Sequence, residues 1–199
     1  MAPVAITAEP LPSKARDIRP AIAVVPFDSE RRVADAALVG HAKVGINNRP
    51  APVYCETPAH QQIEEAVRTA LSSWGFPLVE PSAAALSLHG VVRRFWIDEY
   101  TTGYSPEYSF ASVRWDLYLV EPGGRVVWTD TADVQVRTEA AYTDTTSKGQ
   151  ETLARATREA IYRVFGNAEF WEAVDSASRD PAPGDAHGTV ILEREADTT

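Results

Sequence analysis

The stretch FASVRWDLYLVEPGGRVVWTDTADVQV, residues 110–136, decides the fold of this chain. In its first half, apolar side chains alternate with polar ones, which is the pattern of a strand with one buried face. The sequence Glu121-Pro122-Gly123-Gly124 is typical of a turn, and the alternation resumes after it. We therefore predict an antiparallel strand pair, which the apolar residues 86–98 extend to a three-stranded meander.

The segments before the meander are predicted from turn residues and apolar runs. Residues 86–98 change the phase of their alternation around Gly90, which predicts a β-bulge there. Residues 22–27 form an apolar first strand, and residues 76–80 form a second. Residues 28–56 carry glycines, an asparagine pair and prolines, and we predict a long connection. A connection of this length in a compact domain is usually functional or contains further structure.

Two amphipathic helices complete the predicted domain. Thr57 and Pro58 begin the first helix as an N-cap and a first-turn proline, and Gly75 ends it. The second helix begins near Ser147, which opens a capping box, and it stops at Gly166. A short final helix follows, and the residue after Gly166 is its N-cap.

The predicted order of elements is β, α, β, β, β, β, α, α. This order favours an α+β domain, with a mostly antiparallel sheet of about five strands and two main helices packed on one face. We predict that residues 1–20, which are rich in proline, form a tether, and that residues 21–178 form the single domain. Residues 179–199 are predicted to be a flexible C-terminal tail.

Composition and motifs exclude several kinds of function. The formal net charge of −9 argues against nucleic-acid binding, which needs clustered Lys and Arg. A single cysteine excludes an intramolecular disulfide, and the four histidines lack metal-ligand spacing, so no metal or cofactor is predicted. Neither a glycine-rich phosphate loop nor a Gly-x-Ser-x-Gly elbow occurs in the sequence, so no catalytic residue is predicted.

The apolar segments and the first residues of the sequence indicate where the protein would be located. No segment approaches the roughly 20 apolar residues of a membrane span, and the first residues lack the basic start and apolar run of a signal peptide. A complete chain of this kind would be cytoplasmic. A chain from which an export signal had been removed would have the same start.

The most unusual composition lies in FWIDEYTTGYSPEYSF, residues 95–110, where six aromatic residues crowd two strand ends and the connection between them. Tyr and Trp supply large contact areas at low entropic cost and are typical of binding surfaces. Aromatic pairs that only stabilise a hairpin are the alternative interpretation. The sequence therefore predicts a partner-binding site at Trp96, Tyr100, Tyr104 and Tyr108.

Cys55 and His60 form an alternative ligand site. If the 28–56 segment is a lid over a pocket, the thiol and a nearby histidine base would serve a small-ligand-binding protein or an enzyme. In the other interpretation, Cys55 is a small buried hydrophobic residue.

The order of several motifs points to a family. IAVVPFD, residues 22–28, leads through a glycine-containing loop to a helix ending in Trp74-Gly75-Phe76. LSLHGVV, residues 86–92, follows, and then the Pro122-Gly123-Gly124 turn with Val127-Trp128 after it. Over roughly residues 20–175 this pattern resembles the YajG-like family of bacterial lipoproteins. More loosely it is similar to other small envelope accessory lipoproteins, including auxiliary lipoproteins of ABC transporters.

The resemblance implies a domain tethered to the inner face of an outer membrane, with no catalytic residues to carry over. The family's export signal and lipid-bearing cysteine are not found at the start of this sequence. If the resemblance holds, the sequence begins after that cysteine. If the chain is complete, the envelope location fails.

We therefore expect a non-enzymatic, envelope-associated accessory protein that acts through protein contacts. The full-length protein would be periplasmic and anchored to the outer membrane, and it would touch the membrane only through a lipid anchor that is absent from this sequence. A soluble small-ligand-binding protein or enzyme is the alternative. Pairing of an exposed sheet edge would give a homo-oligomer.

Overall fold

The computed structural model of the protein describes residues 19–44, 49–102, 105–140 and 145–177. The predicted tether, except its last two residues, and the predicted C-terminal tail lie outside these ranges. Tyr104 lies outside them as well.

The described residues form a mixed β-sheet with helices packed against it. The seven strands are Ile22–Val24 (β1), Asp28–Ser29 (β2), Leu38–Val44 (β3), Arg49–Tyr54 (β4), Leu86–Thr102 (β5), Ser105–Val120 (β6) and Val126–Ala140 (β7). The α-helices are Ala59–Ser73 (α1), Thr145–Phe165 (α2) and Ala168–Ala177 (α3), and one turn of 3₁₀ helix spans Pro81–Ala83. The α+β class is confirmed, with more strands than the five predicted.

Strand β5 organises the sheet. One of its edges pairs with β6 in the antiparallel sense, and β6 pairs in the same sense with β7, so the predicted meander is present. The other edge of β5 is covered by three short strands in succession, β1, β2 and β3, all parallel to it. Strand β4 pairs with β3 and ends the strand order β4-β3-β5-β6-β7.

The 28–56 segment is not a long connection, because it contains β2 and the β3–β4 hairpin. Pro50 and Pro52 fall within β4, opposite Lys43 and His41 of β3. A proline lacks a backbone N–H and is tolerated in the outermost strand of a sheet, which is where β4 lies. The strand predicted at residues 76–80 is also wrong, since Leu78 makes only an isolated bridge to Ile22.

The predicted β-bulge exists, but it lies beyond Gly90. Val92 pairs with Trp115 and Arg94 pairs with Arg114, so β5 has one extra residue, Arg93, at this point. Gly90 serves packing instead, because a Cβ at this position would come within 2.7 Å of the Phe27 ring.

Helix α1 buries the predicted apolar stripe against the sheet. It begins at Ala59, one residue later than predicted. Pro58 rather than Thr57 occupies the N-cap position, and no side chain of the described residues caps the helix. Gly75 follows the helix with φ of +82°, a left-handed conformation that a glycine adopts without strain.

Helices α2 and α3 complete the core on the same side as α1. The rings of Trp74 and Phe165 lie 5.7 Å apart, and this contact joins the end of α1 to the end of α2. Asn167 accepts a hydrogen bond from the Glu169 N–H at 3.2 Å, as expected of a residue that caps α3. Phe170 of α3 is fully buried in the same core.

Candidate binding surface on the open face of the sheet

The central strands β5 and β6 have two chemically different faces. The residues that face the helices are buried and almost all apolar; on β6 they are Ala111, Val113, Trp115, Leu117 and Leu119. The alternate residues face the other way, and most of them are half-buried or exposed. We call this second side of the sheet the open face.

Aromatic side chains cluster on the open face near the β5–β6 connection. We define the aromatic patch as Trp96, Tyr100, Tyr108 and Phe110, all of which are half-buried. Three of the four residues predicted for partner binding therefore lie on one surface, and the fourth, Tyr104, is outside the described residues.

Tyr100 and Tyr108 form the centre of the aromatic patch. They lie directly opposite each other on β5 and β6, and their rings stack with centroids 4.7 Å apart and planes 20° apart. The Arg137 guanidinium carbon lies 4.4 Å from the Tyr108 ring centroid, a cation–π geometry. Burial raises the pKa of the Tyr100 phenol, and the Asp98 carboxylate adds to this effect, so the phenol is a neutral hydrogen-bonding group at neutral pH.

Trp96 is held from two directions. Its indole N–H donates a hydrogen bond to the Asp98 carboxylate at 3.1 Å. Its ring makes a T-shaped contact with His41 of β3, with centroids 5.1 Å apart. His41 reaches this position because β3 pairs with β5 in parallel, with His41 beside Asp98. Sequence reasoning missed this contact because it predicted no strand at these residues.

The β-bulge changes the open face next to the aromatic patch. Val92 and Phe95 both face the core, so the bulge places Arg93 and Arg94 together on the opposite side. With Arg114 of β6 and Arg32 they surround a cavity of about 620 Å³. We call it the arginine pocket; its remaining lining residues are Glu30, Ser112, Asp133 and Gln135.

Carboxylates bind two of the four arginines. Arg93 contacts Glu30 and donates a hydrogen bond to Asp116 at 2.8 Å, and Arg114 lies 3.8 Å from Asp133. Burial of Asp116 opposes ionisation, but hydrogen bonds from Arg93 and Thr131 outweigh it and hold the pKa of Asp116 below its ordinary value.

The other two arginines, Arg32 and Arg94, are exposed, and neither forms an ion pair or a side-chain hydrogen bond within the described residues. Sequence reasoning could not bring Arg32 together with Arg93 and Arg94, because their proximity depends on the pairing of β2 with β5.

Cys55 and His60 are near each other in sequence, but no hydrogen bond joins their side chains among the described residues. The Cys55 thiol is buried and donates to the carbonyl oxygens of Thr57 at 2.8 Å and Ala37 at 3.2 Å. Burial raises the pKa of this thiol, which disfavours the thiolate that nucleophilic chemistry requires. Nδ1 of His60 is buried and has no hydrogen-bond partner in the described part of the chain.

No group of three or more His, Cys, Asp or Glu residues in the described ranges is arranged to hold a metal ion. Within the same ranges, no helix has both the length and the apolar character required to cross a membrane.

Comparison with known proteins defines the class of fold. No family model matches the chain, and no curated protein matches it. Protein XCC0632 from Xanthomonas campestris, of the DUF330 family model, is similar with a TM-score of 0.59 at 19% identity, over 85% of this chain and 96% of that one. A Helicobacter pylori protein, assigned as a neuraminyllactose-binding hemagglutinin homolog, has a TM-score of 0.53 at 10% identity, over 90% of this chain and 100% of that one.

Both similarities show that this chain shares its fold with other bacterial proteins. Lipoprotein GNA1162 from Neisseria meningitidis is also similar, with a TM-score of 0.41 at 11% identity, over 74% of this chain and 99% of that one. The narrower resemblance to the YajG-like family stays a prediction.

Proposed function

We propose that this protein is a non-enzymatic accessory protein of the bacterial envelope that binds a protein partner through the aromatic patch. The observation that carries the proposal is the stacked pair Tyr100 and Tyr108, half-buried on the sheet face opposite the helices. The resemblance to envelope lipoproteins supports the location. A lipid anchor preceding this sequence would hold the domain in the periplasm at the outer membrane.

The aromatic patch is already ordered before a partner arrives. Tyr100 is fixed by its stack with Tyr108, and Trp96 by its contacts with Asp98 and His41. Ordering a flexible side chain at an interface costs about 0.5–1.5 kcal/mol, and rings that are already fixed avoid much of this cost. Aromatic residues with nearby arginines are also the residue types enriched where proteins bind proteins.

The proposal is tested by the double variant Tyr100→Thr/Tyr108→Thr. Threonine keeps a high β-strand propensity, so the sheet persists while the rings are removed. The matched control is Tyr54→Thr, since Tyr54 is an exposed strand tyrosine, 48% accessible, in β4 rather than in the aromatic patch. The readout is chemical cross-linking in envelope extracts of the organism that encodes the protein, followed by quantification of the captured partner.

We expect the double variant to lose at least tenfold in capture and the control to keep full capture. Loss of the aromatic pair should lower the free energy of unfolding by about 1 kcal/mol, which leaves the domain folded. A large loss of stability with unchanged capture would show that the tyrosines only stabilise the hairpin and would overturn the proposal.

The alternative, a small-ligand-binding protein or enzyme that uses Cys55 and His60, gains no support from the geometry of Cys55. Assembly of several copies through an exposed sheet edge stays a prediction.

A further inference from the structure

The arginine pocket concentrates positive charge in an acidic protein. The whole chain has a net charge of −9, yet four guanidinium groups surround this one cavity. Arg32 and Arg94 are exposed and have no carboxylate partner among the described residues. The pocket therefore has two donors available, and guanidinium groups bind carboxylates through paired, charge-assisted hydrogen bonds.

The charge pattern favours separated carboxylates over a dense polyanion. Glu30 and Asp133 line the same pocket and would repel closely spaced phosphates. The net charge of the protein opposes the approach of an anionic membrane or a nucleic acid at long range. A peptide segment with two or three acidic residues can place its carboxylates at Arg32 and Arg94 and avoid the two acidic side chains.

The arginine pocket is continuous with the aromatic patch. Ser112, which lines the pocket, lies beside Trp96 of the patch on β5 and beside Gln135 of the pocket on β7. Arg94 and Tyr100 are six residues apart on one strand, which corresponds to about 20 Å at 3.3 Å per residue. An extended segment of about six residues along the sheet would therefore reach both.

We propose that the arginine pocket binds the carboxylates of an acidic segment of the partner protein, whose apolar or aromatic residues, about six positions away, contact the aromatic patch. This inference rests on the proposed function and specifies the chemistry of the partner. It also gives the β-bulge in β5 a role, since the bulge places Arg93 and Arg94 side by side.

The test uses a phage-displayed library of random 12-residue peptides selected on the purified protein, with counter-selection on Arg32→Gln/Arg94→Gln. Because both arginines are exposed and unpaired among the described residues, this variant should keep its Tm within about 2 °C. The matched control is Arg125→Gln/Arg155→Gln, which removes the same charge from other exposed sites.

We expect enriched peptides with at least two Asp or Glu residues and an aromatic or large apolar residue about six positions away. A fluorescein-labelled consensus peptide should bind at least tenfold more weakly to R32Q/R94Q, and within twofold of normal to R125Q/R155Q. No acidic enrichment, or equal binding to R32Q/R94Q, would overturn the inference. Phosphatidylglycerol vesicles that bind through Arg32 and Arg94, with no enriched peptide, would assign the pocket to membranes and also overturn it.

The failure of this inference can be distinguished from the failure of the proposed function. If R32Q/R94Q captures the partner normally and Y100T/Y108T does not, the proposed function stands and the acidic segment is wrong. If the consensus peptide requires the two arginines while Y100T/Y108T captures normally, the arginine pocket is supported and the aromatic patch is wrong.

Discussion

Gly40 of β3 lies against Ile97 of β5 so closely that a Cβ at position 40 would overlap the Ile97 carbonyl oxygen and come within 2.6 Å of its Cγ2. The two residues are also direct partners in the parallel β3–β5 pairing. Glycine at position 40 is therefore a requirement for joining the β3–β4 hairpin to the sheet.

The variant Gly40→Ala should lose about 2 kcal/mol in free energy of unfolding, because the clash involves backbone that cannot move aside. Urea unfolding measures this loss, and amide hydrogen exchange should be faster in β3 than in β6 or β7. The control is Gly123→Ala, since no described residue lies within 4 Å of a Cβ at that position. Equal effects of the two substitutions would contradict the close approach.

Phe170 should be the residue through which α3 stabilises the domain. The side chain is fully buried, and its ring contacts the rings of four residues; these are Phe76, Trp128, Phe165 and Trp171. Phe170→Ala should lower the free energy of unfolding by about 3–5 kcal/mol, as is typical of buried aromatic residues. In the same helix Glu172 is exposed, and Glu172→Ala should change stability by less than about 0.5 kcal/mol. A small effect of Phe170→Ala would show that α3 is not part of the cooperative unit.

Asp116 should make stability depend on pH in the acid range. Its pKa is lowered in the folded protein, so the ionised carboxylate stabilises the fold above the unfolded-state pKa of about 4. This stabilisation is lost as the pH falls through the folded-state pKa. Asp116→Asn should therefore be less stable than the wild type by about 1 kcal/mol at pH 7, and the difference should shrink as the pH falls below the unfolded-state pKa of about 4.

Urea titrations at pH 7, 5 and 3 measure this difference. The control is Asp133→Asn, because Asp133 is exposed and lies 3.8 Å from Arg114, so its ion pair should contribute less than about 0.5 kcal/mol. If the difference in free energy of unfolding between Asp116→Asn and the wild type stays constant with pH, the carboxylate charge does not stabilise the folded protein.

Cys55 should react slowly with thiol reagents in the native protein. The thiol is buried and hydrogen-bonded, and its raised pKa keeps it protonated at neutral pH. Labelling with a disulfide reagent should be at least about 100-fold slower than in the urea-unfolded chain, and the native rate should still be rising above pH 8.5, the ordinary thiol pKa. Rapid labelling at neutral pH would support the alternative site at Cys55 and His60.

Short-range patterns in the sequence were enough to predict the helices and strands whose apolar residues recur at a regular spacing. The stripe of α1 and the alternation along β6 and β7 each reflect one buried face, and this requirement is visible within a dozen residues. The β3–β4 hairpin was missed because Pro50 and Pro52 read as a connection, and their presence in a strand is explained only by the outer position of β4.

The residues of the candidate surface also fall into a group that short-range patterns predicted and a group that they did not. Trp96, Tyr100 and Tyr108 were predicted because they lie within one hairpin. The sequence did not predict that His41 and Arg32 belong to this surface, or that Arg93 and Arg94 share one side of the sheet. These features depend on strand pairing between distant segments and on where the bulge falls.

The three short strands along β5 determine when the chain can fold. β1, β2 and β3 each pair with residues about 60 positions further along the chain, so no backbone partner on β5 exists for them until that strand has been synthesised. Such distant pairings form slowly, because closing a long loop costs conformational entropy before any contact offsets that loss. During that interval the apolar residues of β1 stay exposed. The meander and α2 are local by comparison, and we expect them to form first and to serve as the template on which β1, β2 and β3 assemble.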